Sequence, residues 1–228
     1  MIKIILWDID GTLLDFKAQQ ENALKKCFEL FSLGEITQEM YQEYDAINNY
    51  YWQLLEKNLI SKEEVLIKRF DDFFKKYNLV CSSDKFNHEY HNLLGETIVF
   101  NDDSYNLVNS LRSQVRQYAV TNGSLNVQRR KLSKSGLQDL FDDIFISDLI
   151  GINKPNIGFF DYVFTHIEMV DKSEIIIVGD SLTSDIQGGI NAKIKTCFYN
   201  KEKKRFTTSI KPDYEISSLK EILEIIKD

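Results

Sequence analysis

The chain has 228 residues, and its 35 acidic and 28 basic side chains give a formal net charge of -7 at neutral pH. This charge disfavours a nucleic-acid polymer as a partner, although a single nucleotide is not excluded. A hydrophobic content of 43% is ordinary for a globular protein, and the length fits one large domain or a core with an insertion. Three widely spaced cysteines indicate reduced thiols, and no stretch reaches the roughly 20 apolar residues of a membrane span. We therefore expect a soluble cytoplasmic protein with no membrane partner.

The N-terminal segment joins a short apolar run to two carboxylates. Residues 4–7 predict a buried parallel strand, and Asp8 and Asp10 follow at its carboxyl end. Alternate strand residues point to the same side, so both acids can project into one small volume. Gly11 allows a sharp turn, and Thr12 adds a hydroxyl. Taken alone, the two acids are explained equally well as caps of the next helix or as part of a ligand site.

The segment from about Phe16 to Glu96 has helical spacing and no proline. Helices are predicted at about 17–32, 37–57, 62–77 and 84–94, and Ser61 with Glu64 predicts a capping box for the third. The pattern indicates a helical bundle inserted after the first strand. Core packing explains most of the aromatic residues between Tyr41 and Trp52, although one or two of these rings could face a nucleobase.

From about Asn101 onward, strands and helices alternate. Helices are predicted near 103–113, 125–135, 157–167, 183–191 and 218–227. Strands are predicted at 117–122, 143–147, 174–180, 195–199 and 213–216, the last one at an edge. This alternation predicts a doubly wound parallel sheet, which is a Rossmann-like α/β core.

Polar side chains recur where the predicted strands end. Each has an ordinary structural explanation as a turn residue, a helix cap or a solvated lysine, but these explanations do not account for the whole set at one sheet edge. Several carboxylates in one pocket raise each other's pKa unless a cation neutralises them, and an oxygen-only ligand set suits Mg²⁺. No histidine belongs to the set, so aspartate would have to perform both covalent and proton-transfer chemistry. The residues are Asp8, Asp10, Thr121, Asn122, Lys154, Asp180 and Asp185.

Four motifs in this order resemble those of the haloacid dehalogenase superfamily of aspartate-nucleophile phosphohydrolases. They are Asp8-Ile9-Asp10-Gly11-Thr12, Thr121-Asn122, Lys154-Pro155, and Gly179-Asp180 with Asp185. The resemblance implies that Asp8 is the nucleophile and that Asp10 protonates the leaving alcohol and then activates water. It further implies that Thr121 and the Asn122 backbone hold the phosphoryl group while Lys154 stabilises its charge.

The same resemblance implies a magnesium site and a division of the chain. Asp8, the Asp10 carbonyl and Asp180 would bind Mg²⁺, with Asp185 supporting the site. Residues 1–15 and 98–228 would form the catalytic α/β core, and residues 16–97 would form a helical cap inserted after the first strand.

Shorter motifs resemble the bacterial pyrimidine 5′-nucleotidase branch of this superfamily. They are Thr12-Leu13-Leu14-Asp15-Phe16, Thr121-Asn122-Gly123, Gln128 and Phe198-Tyr199-Asn200. This finer resemblance implies a small phosphate ester as substrate, most of all a pyrimidine nucleoside 5′-monophosphate. Three features depart from the family pattern without removing a catalytic group: Asn153 replaces a small residue, Asn156 replaces an Asp, and a Pro-Gly is missing near Asn101.

Other functions remain open at this point. A phosphatase for a sugar phosphate or phosphoglycolate would use the same groups. A haloacid dehalogenase also uses an aspartate nucleophile, but halide departs without a proton, which leaves Asp10 without a purpose. A receiver-like signalling module would place its acids, threonine and lysine in a different order, and a nucleotide-binding regulator without turnover is a further alternative. A monomer and a homodimer are equally compatible. His88 and His91 lie three residues apart on a predicted helix and could bind a metal, but we expect no third ligand near them.

Overall fold

The computed structural model describes residues 1–168 and 171–227. The predicted core includes Met169, Val170 and Asp228, and these three positions lie outside the described residues. The chain divides into two compact units, Met1–Phe16 with Ile98–Asp228 and Lys17–Thr97. Within the described ranges, no helix is both long enough and apolar enough to cross a membrane.

A parallel sheet forms the centre of the first unit. Its strands are β1 Ile4–Trp7, β2 Arg116–Thr121, β3 Asp143–Ile146, β4 Ile175–Gly179, β5 Lys195–Tyr199 and β6 Tyr214–Ile216. They lie side by side in the order β3-β2-β1-β4-β5-β6. This arrangement confirms the predicted α/β fold class. Trp7, the last residue of β1, lies opposite Ala119 in β2 and Val178 in β4. The three central strands therefore end close together at one edge of the sheet.

Helices cover both faces of this sheet, as the unbroken apolar run of β1 requires. Ile5 and Trp7 belong to one apolar cluster, and Ile4 and Leu6 belong to the other. The side chains of β1 thus alternate between two buried layers, which leaves only its carboxyl end for polar groups. The helices of this unit are α5 Ser104–Leu111, α6 Leu125–Ser135, α7 Ser147–Ile150, α8 Ile157–His166, α9 Gln187–Ala192 and α10 Ile222–Ile225.

The second unit is a bundle with an aromatic core. The predicted capping box is present, because the Ser61 hydroxyl accepts from the Glu64 N–H and the Glu64 carboxylate accepts from the Ser61 N–H. The Tyr44 ring stacks on Phe70 with ring centroids 5.2 Å apart, and Tyr90 meets Phe70 edge-on at 5.3 Å. The helices of the bundle are α1 Phe16–Leu30, which begins at the last residue of the first unit, α2 Gln38–Glu56, α3 Lys62–Lys76 and α4 Ser83–Glu96.

Most predicted elements agree with the observed ones to within one or two residues at each end, but three differ in the type of structure that some of their residues adopt. The strand predicted to reach Ser147 ends at Ile146, and Ser147 begins α7 instead. The helix predicted at 183–191 is a π-helical turn over Leu182–Ile186 followed by α9. There the Ser181 carbonyl oxygen accepts from the Asp185 N–H at 3.0 Å and from the Ile186 N–H at 3.1 Å, and the second bond spans five residues, as in a π-helix. The final helix is a 3₁₀ turn over Leu219–Glu221 followed by the single turn of α10.

Candidate active site

The carboxyl edge of the sheet gathers the polar residues that follow the central strands. Asp8 follows β1, Thr121 ends β2 and Asp180 follows β4. Asp8 and Thr121 are buried, whereas Asp180 is accessible to solvent. The topology brings these residues together as the sequence predicted, because parallel strands end at the same edge.

Asp8 lies between a hydroxyl and an ammonium group. Its Oδ2 accepts from Thr12 Oγ1 at 3.2 Å, and its Oδ1 accepts from Lys154 Nζ at 2.8 Å. The pKa of Asp8 rises from 3.8 to about 7, because burial and the negative charge of Asp185 raise it by more than Lys154 lowers it. A cation beside Asp8 is therefore needed to keep this carboxylate ionised near neutral pH.

Lys154 is a buried cation whose three ammonium protons all have acceptors. Its Nζ lies 2.8 Å from Asp8 Oδ1, 2.6 Å from Asp185 Oδ1 and 2.8 Å from the Val120 carbonyl oxygen. Burial alone lowers the pKa of Lys154, but the carboxylates of Asp185 and Asp8 raise it overall. The lysine is thus held as an ammonium ion directly beside the candidate nucleophile.

The Asn122 side chain positions the loop that carries Lys154. Its Oδ1 accepts from the Lys154 N–H and its Nδ2 donates to the Lys154 carbonyl oxygen, both at 2.9 Å. Nδ2 also lies 3.3 Å from Ser184 Oγ. The sequence predicted a role for the Asn122 backbone, and the structure adds this role for its side chain.

We expect Asn122→Ala to slow turnover because the Lys154 loop loses two hydrogen bonds while the Asn122 backbone N–H is kept. Two bonds of about 1 kcal/mol each correspond to a loss in kcat of about 10- to 100-fold. Steady-state kinetics with a phosphate ester measure the loss. Asn126→Ala is the matched control, since Asn126 is exposed on α6. Equal rates for the two variants would contradict the positioning role.

Thr121 is buried and oriented by the chain that follows it. Its Oγ1 accepts a hydrogen bond from the Gly123 N–H at 3.0 Å. This bond leaves the hydroxyl proton of Thr121 available to donate to an anionic oxygen. Its position at the end of β2 agrees with the expected role in holding a phosphoryl group.

Three carboxylates form a group with the composition of a divalent-cation site. Asp8, Asp180 and Asp185 each offer an oxygen, and these oxygens lie within 4.8 Å of one another. Desolvation and the charges of Asp8 and Asp185 raise the pKa of Asp180 well above its usual range. The three carboxylates carry three negative charges when ionised and Lys154 carries one positive charge, so the group has a net charge of about -2. A divalent cation with a preference for oxygen ligands, such as Mg²⁺, matches both this charge and this ligand set.

Gly11 makes room for this carboxylate group. Its φ of +91° lies in the left-handed region, and a Cβ at this position would overlap the Asp180 carboxylate. The Asn101 side chain donates to the carbonyl oxygens of Gly11 at 2.9 Å and Thr12 at 3.0 Å. Asn101 thus supports the turn after β1, a role that sequence reasoning missed.

The Asp10 carboxylate lies outside the three-carboxylate group, so Asp10 could contribute to the expected metal site only through its backbone carbonyl. Lys131 Nζ donates to Asp10 Oδ1 at 2.6 Å, and Gln128 Nε2 donates to Asp10 Oδ2. Lys131 was not predicted as a site residue, and Gln128 had no predicted role. The spacing of these two residues could have indicated a site role. A glutamine and a lysine three residues apart lie on the same helix face, and here they share the buried face of α6 with Val127 and Leu132.

The two histidines near each other in the sequence belong to the helical unit. His91 Nε2 lies 3.2 Å from the buried guanidinium of Arg69, and His88 is exposed. Neither histidine belongs to a cluster of metal-ligand side chains among the residues that the structure describes.

Comparison with known proteins places these residues in a family. Residues 5–199 match the model of the haloacid dehalogenase-like hydrolases. HAD-hydrolase YfnB of Bacillus subtilis is 35% identical over 98% of this chain and 95% of its own length. Pyrimidine 5′-nucleotidase PynA of Streptococcus pneumoniae is 32% identical, over 98% of this chain and 94% of PynA. Pyrimidine 5′-nucleotidase YjjG of Escherichia coli is 31% identical, over 97% of this chain and 96% of YjjG.

Comparison with solved structures agrees with the sequence comparison. The crystal structure of YfnB bound to magnesium superposes with a TM-score of 0.94 at 34% sequence identity. The alignment covers 100% of this chain and 99% of YfnB. The α/β fold with its inserted helices is therefore shared over the whole length of both chains.

Proposed function

Because this chain belongs to the haloacid dehalogenase-like hydrolases, we propose that it is a Mg²⁺-dependent phosphomonoesterase that forms an aspartyl-phosphate on Asp8. The observation that carries the proposal is the different surroundings of the two acids after β1. Asp8 lies beside Lys154 and the carboxylates of Asp180 and Asp185, whereas Asp10 is held by donors from α6. Separate surroundings for two nearby acids support separate roles as nucleophile and proton carrier.

In the first half of the reaction, an Asp8 carboxylate oxygen forms a bond to phosphorus while the bond from phosphorus to the ester oxygen breaks. Asp10 gives its proton to the ester oxygen, which leaves as an alcohol. The Thr121 hydroxyl and the Asn122 backbone N–H donate to the phosphoryl oxygens, and Lys154 offsets their charge. Asp10 ends this step as a carboxylate.

In the second half, the Asp10 carboxylate takes a proton from water as the water oxygen bonds to phosphorus. The bond between phosphorus and Asp8 breaks, which releases inorganic phosphate and restores both acids to their starting forms. Asp10 therefore acts as an acid in the first step, which needs a proton donor, and as a base in the second step, which needs a proton acceptor.

The metal would be held by the carboxylates of Asp8 and Asp180 together with the Asp10 carbonyl oxygen, with the Asp185 carboxylate beside them. When bound, Mg²⁺ supplies positive charge that offsets the repulsion between these acids and a phosphate dianion. The accessible Asp180 carboxylate gives a cation from solution a route to the group. Asp185 is already bound to Lys154 and the Ser181 N–H, which supports a positioning role for it.

We further propose that the helical unit is a cap that selects a small soluble ester, with pyrimidine nucleoside 5′-monophosphates as the preferred class. The names of PynA and YjjG support this choice. The structure reduces the set of rings that could stack on a base, because Tyr44 and Tyr51 are buried within the bundle. Phe16 is half-buried, and its ring lies beside the lysine that contacts Asp10. It is therefore the aromatic residue we place nearest the leaving group.

A panel of substrates in the presence of Mg²⁺ tests this proposal. We expect kcat/KM for dTMP or UMP to exceed that for glucose 6-phosphate or phosphoglycolate about tenfold or more, since base stacking on one ring contributes roughly 1–3 kcal/mol. Phosphate release measured at equal substrate concentration gives the comparison. Preference for the sugar phosphate or phosphoglycolate would contradict the nucleotidase proposal and leave the phosphatase proposal in place. Halide release from chloroacetate without phosphatase activity would overturn both.

A further inference from the structure

Lys131 is a fully buried lysine that none of the predicted motifs includes. It lies on the core-facing side of α6, has no exposed side-chain surface, and pairs with Asp10 through a 2.6 Å contact between Nζ and Oδ1. Its Nζ also lies 5.0 Å from the centroid of the Phe16 ring. A buried ammonium group costs several kcal/mol in desolvation, which an apolar residue at the same place would avoid. A charge at this position therefore needs a reason other than stability.

Gln128 contacts the other oxygen of the same carboxylate. It lies one turn before Lys131 on α6, it is buried, and its Nε2 donates to Asp10 Oδ2. A side chain on Gly123 would overlap the Gln128 amide, so the glycine leaves the space in which this amide lies. Both oxygens of Asp10 are thus held by one face of one helix.

In the described part of this unit, two lysines are buried, and they contact different acids. Lys154 contacts Asp8 and Asp185, and Lys131 contacts Asp10. An aspartate that only supported the metal-binding acids would gain little from two donors of its own. An aspartate that must reach the leaving oxygen and later a water needs its carboxyl group held in one orientation.

We propose that Lys131 and Gln128 are positioning residues that hold the Asp10 carboxyl group in the orientation required for proton transfer to the leaving alcohol. This inference rests on the proposed phosphomonoesterase function and extends it to Lys131, which lies outside the quoted motifs, and to Gln128, to which the resemblance assigned no role. Lys131 provides the constant donor to Oδ1. The Gln128 amide has one donor and one acceptor end, and its Oε1 is buried and has no hydrogen-bond partner among the residues that the structure describes. Rotation of this amide lets it accept from Asp10 when the acid carries its proton and donate to it afterwards.

The test compares two esters that differ in their need for protonation. An alkyl phosphate has a poor leaving group that requires a proton, whereas the leaving group of p-nitrophenyl phosphate requires little help. We expect Lys131→Met to lower kcat/KM for the alkyl ester about 10- to 100-fold and for p-nitrophenyl phosphate less than about threefold. Lys131→Arg, which keeps a charged donor, should recover part of the loss.

Two further variants separate positioning from general damage to the fold. Gln128→Met removes only the contact to Oδ2 and should show the same ester-dependent loss, while Lys134→Met, on the exposed side of the same helix, should leave both rates unchanged. In an Asp10→Asn background, Lys131→Met should cause no additional loss with the alkyl ester, because the group it positions is already gone. Two results would overturn the inference. One is an equal loss of kcat/KM for both esters, and the other is a loss from Lys131→Met that is as large in the Asp10→Asn background as in the wild-type protein.

A readout independent of turnover separates this inference from the proposed function. Crystal structures of the wild-type protein and Lys131→Met show directly whether the Asp10 carboxyl group changes its orientation. An unmoved Asp10 carboxyl group in Lys131→Met would overturn the positioning role even in an active phosphatase. A wild-type protein that hydrolyses neither ester with Mg²⁺ would contradict the proposed function, and a reoriented Asp10 would then still support the positioning role.

Discussion

Asp8→Asn is expected to abolish turnover while leaving the fold intact. The amide keeps the shape of the carboxylate but cannot attack phosphorus, and loss of a nucleophile of this kind lowers kcat by about 10³-fold or more. The fold should tolerate the change because burial and the charge of Asp185 already disfavour the ionised form of Asp8. Lys154 keeps its contacts with Asp185 and the Val120 carbonyl oxygen in this variant.

Phosphate release and trapping of the phosphorylated protein measure this effect together. The wild-type protein should carry an acid-stable acyl phosphate after rapid quenching with labelled substrate, and Asp8→Asn should carry none. Asp161→Asn, an exposed aspartate on α8, provides the matched control and should behave as the wild type does. Turnover at the wild-type rate by a verified Asp8→Asn protein would refute the nucleophile assignment.

Removal of the metal is expected to have the second large effect. We expect EDTA to lower activity by about 10²-fold or more and Mg²⁺ to restore it, because without a cation the three carboxylates repel a phosphate dianion. Asp180→Ala should weaken Mg²⁺ activation more than Asp185→Ala. The reason is that Asp180 is the accessible member of the group, whereas both oxygens of Asp185 already accept hydrogen bonds from within the protein.

Thermal unfolding gives a second measure of the metal that does not depend on turnover. A ligand that binds only the native state raises Tm, so Mg²⁺ should raise the Tm of the wild-type protein and have a much smaller effect on Asp180→Ala. Asp139→Ala, an exposed acid at 137–140, should keep the wild-type response. Full activity in chelator, or an equal rise in Tm for Asp180→Ala, would contradict the assignment of the metal site.

The sequence alone was sufficient to predict the α/β fold class and the members of the main polar group. Strand periodicity and the positions of Asp8, Thr121 and Asp180 at strand ends carry this information locally. In a parallel sheet, every strand ends at the same edge as its neighbours, so a position along the strand predicts a position in space. The family model and the relatives confirm the superfamily that the motifs indicated.

Local pattern was a weaker guide to element ends near the site. In the π-helical turn over Leu182–Ile186, the Ser181 carbonyl oxygen accepts from the Ile186 N–H, and the Asp185 carboxylate accepts from the Ser181 N–H. Helical periodicity does not report such a contact, because it reflects only which face of a helix is apolar. The same limit applies to Ser147, where a predicted strand residue begins a helix instead.

Only the tertiary structure identified the partners of each acid. Lys131 lies 121 positions from Asp10 in the chain, and Asn101 lies 90 positions from Gly11. Each of these residues has an ordinary polar side chain on a helix or in a loop, and no feature of the neighbouring sequence predicts which residue it contacts. The sequence determined which chemical groups meet at the edge of the sheet. The packing of α6 against that edge decided that Lys154 contacts Asp8 and Lys131 contacts Asp10. Contacts between residues so far apart in the chain depend on how the helices pack on the sheet, which no local pattern of residues reports.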